Sequence, residues 1–345
     1  MGRKTFKKVI TSEELKSQIN KKNIKLMELF LKDKDRKCSP KTIKGYASDL
    51  NIFFCWNVME NENKFYPDIR KSEISMFFSY CVDELKWNGK RFARMRSVLS
   101  GLSDIVIKYY DDEYPTFRNF INSVIESIPK PEVREKTILT DKEADLLLKE
   151  LKDRKEYQQA CFLALAMFSG CRIAELEQFT IDLIDENNVA FGGVMLETTR
   201  KLRCKGFGKE GHVIYKYIIK DLFLPYLKLW LPEREKILKE KGKSEEKGLF
   251  IKSNGDRATQ NVFRGWIEKW EDIINKPLYP HMLRHRLVTY LASLGLSSDY
   301  IVAIVGWKDS KMVNIYNDLE DKDREWKDSD KLQKIIDEMA LDEED

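Results

Sequence analysis

Residues 280–285, Pro280-His-Met-Leu-Arg-His285, place a histidine and an arginine one helical turn apart. Pro280 favours a helix start, because proline is tolerated in the first turn, where its missing N–H has no partner to lose. His281 and Arg284 then project from the same face of that helix. The segment therefore predicts a helix that presents these two side chains together.

A second arginine lies upstream, in Phe168-Ser-Gly-Cys-Arg-Ile-Ala-Glu-Leu176. The apolar helix predicted over Gln158–Phe168 breaks at Ser169-Gly170, and another helix is predicted to start near Arg172. An arginine at a helix start lies where backbone N–H groups and the helix dipole already favour anions. Glu175 follows one turn later and could orient Arg172 or His281.

Three further segments follow in a fixed order. Arg200-Lys-Leu-Arg-Cys-Lys-Gly-Phe-Gly-Lys209 is a basic turn between β-prone runs. Gly306-Trp307 comes after the helix at Pro280, and Tyr316 stands nine residues after Trp307. Each segment alone is weak evidence, but their order and spacing together are strong evidence for one site.

From about Thr140 to Asp318 the chain resembles the tyrosine recombinases, also called phage integrases. That family's pattern is Gly-x-Arg-x-x-Glu-Leu, a hairpin lysine, His-x-Leu-Arg-His, Gly-His or Gly-Trp, and a tyrosine nine residues later. Two positions depart from it: Cys171 stands where leucine is common, and Arg286 replaces a small serine or threonine. The second change adds a base near the expected DNA.

The resemblance implies an enzyme that cuts and rejoins DNA through a 3′-phosphotyrosine intermediate and a Holliday junction, without metal or other cofactor. Arginine forks match phosphate oxygens, and donors fixed in advance at developing charge are usually the largest catalytic contribution. An indole N–H can only donate, and a phenol needs neighbouring cations to ionise readily. The implied catalytic residues are Tyr316, Arg172, Arg284, His281, Trp307, Lys205 and Glu175.

The hairpin lysine, implied to be the general acid toward the leaving 5′ oxygen, has three candidates. Lys205-Gly-Phe-Gly-Lys209 resembles the family's turn, so Lys205 is preferred. Lys201 is second, and Lys209 stays open.

Each of these residues also has a structural interpretation, since apolar-face tyrosines and surface Arg–Glu pairs are common. His281 and His285, four residues apart, superficially resemble a zinc-binding helix. However, Met282 stands where a zinc protease has glutamate, and the third histidine, His212, lies in a predicted strand. We therefore expect no metal site.

The predicted fold class is mainly α with a small antiparallel β-sheet. Residues 1–36 are predicted to be a charged leader with one helix, and 37–131 an all-helical DNA core-binding domain. Residues 132–326 are predicted to form a mixed α+β tyrosine-recombinase catalytic domain, reached through a linker near Pro129–Lys136. Residues 327–345 are predicted to form a helix and an acidic tail, with the helix packing either on a neighbouring subunit or on its own subunit. Strands are predicted at 189–191, 194–196 and 212–219, with 249–251 as a third strand of a small sheet.

Charge is unevenly distributed. The net charge is +4, yet residues 320–345 hold 12 acidic and 5 basic residues, which leaves +11 on the rest. A basic body with an acidic tail is typical of a polyanion-binding protein. The residues predicted to contact DNA lie mainly in two basic segments: Lys86, Lys90, Arg91, Arg94, Arg96, Arg200, Lys201, Arg203, Lys209 and Arg286.

The sequence shows neither a membrane-spanning apolar run nor the apolar core of a signal peptide, so we expect a cytoplasmic, DNA-associated protein with reduced cysteines. The implied partners are duplex DNA carrying a recombination site and a homo-tetramer that assembles from monomers on paired sites. An accessory DNA-bending or directionality factor is a further candidate. Two other functions stay open: a type IB topoisomerase, and a non-catalytic DNA-binding protein that kept the fold.

Overall fold

The computed structural model of the chain describes residues 11–126, 139–204 and 211–306. They belong to two compact units whose main boundary lies between Glu135 and Lys136. Lys205, Lys209, Trp307, Tyr316, the predicted linker and the predicted C-terminal helix lie outside the described residues.

The first unit is all helical in its described part. Side chains of Ser12, Asn20, Ser39 and Asn88 accept hydrogen bonds from the N-terminal N–H groups of four helices, as good N-caps do. Its helices are α1 (Glu13–Gln18), α2 (Lys21–Asp35), α3 (Pro40–Glu60), α4 (Lys71–Asp83), α5 (Gly89–Tyr109) and α6 (Ile121–Val124).

Aromatic rings fill the core of this unit. Phe53 on α3 lies at its centre, with its ring centroid 4.9 Å from that of Phe77 and 5.8 Å from that of Tyr66. The Tyr66 hydroxyl donates to the Leu99 carbonyl at 2.9 Å, so the buried phenol keeps a partner.

Two helix predictions in this unit were only partly right. The helix predicted over Glu13–Leu31 is two helices, because Asn20 caps a new start. Helix α2 buries Leu26 and Phe30 in the core of the unit, so the described part of the predicted leader belongs to the same body. The sequence pattern also predicts a helix over Pro115–Ser127, and only the short α6 forms within it.

The second unit surrounds one helix that is buried on all sides. Every residue of α8 from Ala160 to Ser169 is buried, and α8 packs against α7, α10 and α12. The helices are α7 (Asp141–Asp153), α8 (Tyr157–Ser169), α9 (Ile173–Leu176), α10 (Lys220–Glu240), α11 (Gln260–Ile274), α12 (Pro280–Ser293) and α13 (Ser298–Val305).

Five short strands lie between α9 and α10: β1 (Val189–Ala190), β2 (Met195–Glu197), β3 (Leu202–Cys204), β4 (His212–Ile214) and β5 (Tyr217–Ile219). Strands β1, β2 and β5 form an antiparallel sheet in that order, and β3 pairs with β4. The prediction of a mainly α fold with small antiparallel sheets is therefore confirmed.

The third strand of the sheet is not the predicted segment Leu249-Phe-Ile251. That segment is buried and makes only isolated bridges on either side, Gly248 with Thr180 and Ile251 with Arg257. Its backbone instead meets helix α10, where the Trp230 indole N–H donates to the Leu249 carbonyl at 2.8 Å. Within the described residues, no helix is both long and apolar enough to cross a membrane.

Helix α7 begins with a reciprocal cap, which generates a stability prediction. The Glu143 N–H donates to Thr140 Oγ1 at 3.3 Å, and the Thr140 N–H donates to Glu143 Oε2 at 2.8 Å. Replacing Thr140 with alanine removes one half of this cap, so we expect about 1 kcal/mol less stability in urea unfolding. Thr140→Ser keeps the hydroxyl and should lose no more than a few tenths of a kcal/mol. Equal losses in both variants would contradict the role of the cap.

Candidate active site

The first element of the site is the turn between α8 and α9. Gly170 ends α8 with a φ of +57°, and a Cβ there would lie 2.9 Å from Leu287 Cδ2. Glycine is favoured on both counts, because a side chain would be strained and crowded. The turn brings Arg172 to the N-cap of α9, where the sequence predicted a helix start.

Glu175 fixes Arg172 from within α9. Its Oε2 accepts from the Arg172 backbone N–H at 3.0 Å, and its Oε1 accepts from Arg172 Nη1 at 2.9 Å. Glu175 is 2% exposed, whereas the Arg172 side chain is 27% exposed. The carboxylate is therefore interior and orients an arginine that still reaches solvent, unlike a surface ion pair.

Arg284 reaches the same carboxylate from α12. It is 3% exposed, and its Nη1 lies 3.8 Å from Glu175 Oε2. Its guanidinium donates to the Gly170 carbonyl at 2.5 Å and to the Val305 carbonyl at 3.2 Å, which ties α12 to the ends of α8 and α13. Burial, reinforced by the charge of Arg172, lowers the pKa of Arg284 to about 10. The group remains charged at neutral pH.

Lys216, which the sequence analysis missed, is the third cation around Glu175. Its Nζ lies 2.9 Å from Glu175 Oε2, and its side chain is 0% exposed. Burial alone would raise the pKa of Glu175, but Lys216, the Arg172 backbone N–H and Arg284 outweigh it and lower that pKa to about 2. Glu175 is therefore ionised throughout the physiological range.

A signal for Lys216 was present in the run 212–219. Val213 and Tyr215 are exposed while Lys216 and Ile218 are buried, so the alternation of a strand turns the lysine inward. The interpretation of this run as simply β-prone left its one charged residue without a role.

His281 occupies the first turn of α12, as predicted from Pro280. It is exposed, and its ring centroid lies 6.2 Å from that of His285. Within the parts of the chain that the structure describes, no group of three or more His, Cys, Asp or Glu side chains is placed to hold a metal ion.

The basic side chains of the hairpin that the structure describes are exposed. Arg200 donates to Thr180 Oγ1 at 3.2 Å, and Lys201 Nζ lies 5.5 Å from the centre of the Tyr215 ring. Arg203 points to solvent from β3, between the buried Leu202 and Cys204. The three side chains thus lie on the surface of this unit.

In the first unit, a buried carboxylate orders the basic face of α5. Asp49 on α3 is 0% exposed, and its two oxygens lie 2.5 Å from Arg91 Nη1 and 2.7 Å from Arg94 Nε. The arginine side chains stay 27% and 45% exposed. Lys86 and Lys90 are exposed beside them.

Two of the predicted DNA contacts are engaged within the protein. Arg96 donates to the Ile125 carbonyl at 2.9 Å, which joins α5 to the end of α6. Arg286 is 7% exposed and donates to Asp141 Oδ1 at 2.9 Å, with its guanidinium 5.8 Å from the centre of the Tyr290 ring. The contacts with Asp141 and Tyr290 give Arg286 a role within the protein, and its contact with DNA stays a prediction.

Several known proteins are similar to this chain in sequence. The SPbeta prophage-derived recombinase-like protein YomM of Bacillus subtilis is 27% identical over 292 residues, which cover 81% of each chain. The tyrosine recombinase XerD of Oceanobacillus iheyensis is 22% identical over 82% of this chain and 89% of its own.

Among solved structures, a lambda integrase (75–356) dimer bound to a COC′ core site matches with a TM-score of 0.60 and 16% identity, over 88% of this chain and 97% of that one. The XerH recombinase bound to difH substrate, in a pre-cleavage complex, matches with a TM-score of 0.59 and 20% identity, over 80% and 76%. The sequence profile of the phage integrase family matches residues 137–323, more than half of the chain. The chain therefore belongs to the phage integrase family, the tyrosine recombinases.

Proposed function

We propose that this tyrosine recombinase is a site-specific recombinase or integrase that exchanges DNA strands through a 3′-phosphotyrosine at Tyr316 and a Holliday junction, integrating or excising a mobile element. The observation that carries the proposal is the joint placement of Arg172 and Arg284 around the buried Glu175. Two guanidinium groups from distant segments, fixed by one carboxylate, form a preorganised receptor for phosphate oxygens.

In the proposed cleavage step, the Tyr316 oxygen attacks phosphorus and gives up its proton, with His281 as acceptor or as a phosphate ligand. The bond from phosphorus to the 5′ oxygen breaks, and that oxygen takes a proton from the hairpin lysine, for which Lys205 remains preferred over Lys201 and Lys209. Trp307 donates its indole N–H to the phosphate. Rejoining reverses these bond changes with a new 5′ hydroxyl, so it needs no external energy source.

The proposed DNA partner is supported by the exposed basic residues of each unit. Arg91 and Arg94, held by Asp49, join Lys86 and Lys90 in the first unit. In the second unit, the exposed basic residues described in the hairpin are Arg200, Lys201 and Arg203. The solved lambda integrase and XerH structures of this fold were determined bound to DNA. We propose duplex DNA carrying a recombination site as the substrate, with an accessory DNA-bending or directionality factor as a further candidate partner.

Tyr316→Phe tests the nucleophile. The substrate is a duplex selected for tight binding from a random-sequence pool and then nicked at successive positions, so that the cut fragment diffuses away and the covalent adduct is trapped. The wild type should form an adduct in excess EDTA, since the proposed charge stabilisation comes from side chains. Tyr316→Phe should bind the duplex with unchanged affinity and form no adduct, because phenylalanine has no oxygen to attack phosphorus.

Three results would count against this function. Binding without adduct in the wild type would favour a DNA-binding protein. Relaxation of supercoiled DNA by a monomer, without exchange between two sites, would favour a topoisomerase. An adduct that persists in Tyr316→Phe would place the nucleophile elsewhere.

Lys90→Ala tests phosphate contact by α5. Lys90 is exposed, so its loss should not disturb the core. Removing one phosphate contact should reduce the slope of log affinity against log salt by about 1. Lys25→Ala, which removes an exposed lysine of α2, is the matched control and should leave the slope unchanged. An equal effect of the two substitutions would indicate general attraction and no contact at Lys90.

Truncation after Asp330 tests assembly. The segment beyond it places Leu332, Ile335, Ile336 and Met339 on one helical face, and a helix this short must bury that face on something. We propose that it packs on a neighbouring subunit, so that monomers become a tetramer on paired sites. The truncated chain should bind a single site normally but pair two sites and recombine poorly. Recombination at the normal rate, or failure of the truncated chain to fold, would favour packing on its own subunit.

A further inference from the structure

Lys216 is held in place by its backbone as well as by its side chain. Its N–H donates to Thr198 Oγ1 at 3.0 Å, and its carbonyl accepts from the Thr198 N–H at 2.9 Å. Thr198 follows strand β2, so both flanking hydrogen bonds anchor Lys216 to the sheet. The ammonium group of this anchored residue pairs with Glu175 Oε2, whereas Arg172 Nη1 pairs with Oε1.

The same ammonium lies under Gly306, the residue before Trp307. A Cβ on Gly306 would lie 3.4 Å from Lys216 Nζ and would overlap Ile214 Cδ1, and the φ of Gly306 is +70°. Only glycine fits there without displacing these side chains. Gly306, the last described residue before Trp307, thus lies next to the lysine that holds Glu175.

A buried ion pair is weak evidence of a stabilising role, because removing two charges from water costs about as much as their attraction returns. Apolar residues of similar volume in place of Lys216 and Glu175 would stabilise the fold equally well. The cluster also contains more positive charge than a stable core requires, since Arg172, Arg284 and Lys216 surround the single charge of Glu175. The excess of two positive charges matches the two negative charges that a phosphodiester carries when a phenolate adds to it.

We propose that Lys216 is a positioning residue for strand cleavage, which holds Glu175 ionised and in place so that Glu175 can fix Arg172 and Arg284 on the phosphate. This inference rests on the proposed function. Lys216 acts through Glu175 and does not touch DNA, so it is distinct from the hairpin lysine that protonates the leaving oxygen. Its side chain is 0% exposed, so it is shielded from solvent in the described part of the chain.

The pH dependence of cleavage separates this role from simple packing. The described groups that interact with Glu175 are Arg172, Arg284, Lys216 and the buried thiols of Cys171 and Cys204. Burial raises the pKa of Glu175, and the charge of Lys216 opposes this effect. Without that charge, the pKa of Glu175 rises. Glu175 then becomes protonated at higher pH than in the wild type, so the rate of the variant relative to the wild type should decline as pH falls.

The experiment compares adduct formation by the full-length wild type, Lys216→Met and Lys216→Arg on the nicked duplex described above, from pH 5 to pH 8. Lys216→Met should bind within about twofold of the wild type, while its cleavage rate falls about 10- to 100-fold at neutral pH, in the range expected when donors at developing charge lose their placement. The loss should deepen toward pH 5. Lys216→Arg keeps the charge and should restore the wild-type pH profile.

Lys276→Met is the matched control. It removes a lysine that pairs with Glu143 at 2.9 Å in the same unit, away from Glu175, and should leave cleavage and its pH profile unchanged. Cleavage by Lys216→Met at the wild-type rate and with the wild-type pH profile would overturn the proposal. An equal effect of both lysine substitutions would do the same.

A double variant covers the case in which Lys216→Met fails to fold. Lys216→Met combined with Glu175→Gln removes both buried charges, and it should cleave no more slowly than Glu175→Gln alone, because Lys216 acts only through Glu175. A further loss in the double variant would overturn the proposal. Absence of any adduct in the wild type would instead overturn the proposed function, whereas a wild-type adduct matched by Lys216→Met would overturn the role of Lys216 alone.

Discussion

The second unit depends on keeping one negative charge, that of Glu175, inside the protein. An isolated carboxylate in an apolar interior would be protonated or would destabilise the fold. Here three cations and a backbone N–H surround it, and its pKa falls to about 2. These groups come from the α8–α9 turn, the segment between β4 and β5, and α12. The carboxylate therefore requires these parts of the unit to be correctly assembled.

The arginines in turn link the carboxylate to helix ends. Arg284 donates one hydrogen bond to the Gly170 carbonyl at the end of α8 and another to the Val305 carbonyl at the end of α13. Helix C-terminal carbonyls carry partial negative charge and lack partners within the helix, so a guanidinium satisfies both at once. Helix α13 ends at Val305, two residues before Trp307. Arg284, which is proposed to bind phosphate, thus also holds the end of this helix. The same hydrogen bonds therefore stabilise the fold and position the site.

The sequence predicted the residues whose role depends on local spacing. Arg172 and Glu175 are three residues apart on one turn, so the helical period alone brings that pair together. His281 and Arg284 repeat the interval on α12, where the histidine is exposed and the arginine is buried. Lys216 meets Glu175 only through the strand pairing that follows the hairpin, a contact 41 residues apart in the chain that no local pattern encodes. A second long-range contact involves Arg286, which the comparison with the family's pattern placed near DNA and which donates to Asp141 in the structure.

Asp49 repeats in the first unit what Glu175 does in the second. Each carboxylate is nearly or fully buried, each binds two arginines, and each leaves at least one guanidinium partly exposed. An arginine on a flexible stem loses rotamer freedom when it meets a phosphate, which weakens binding. A buried carboxylate orders the stem during folding, before DNA arrives, so less freedom remains to be lost on contact. In the described part of the chain, no buried carboxylate pairs with Lys86 or Lys90, the exposed lysines near Arg91 and Arg94. The arginines that Asp49 and Glu175 hold are therefore ordered by the fold itself.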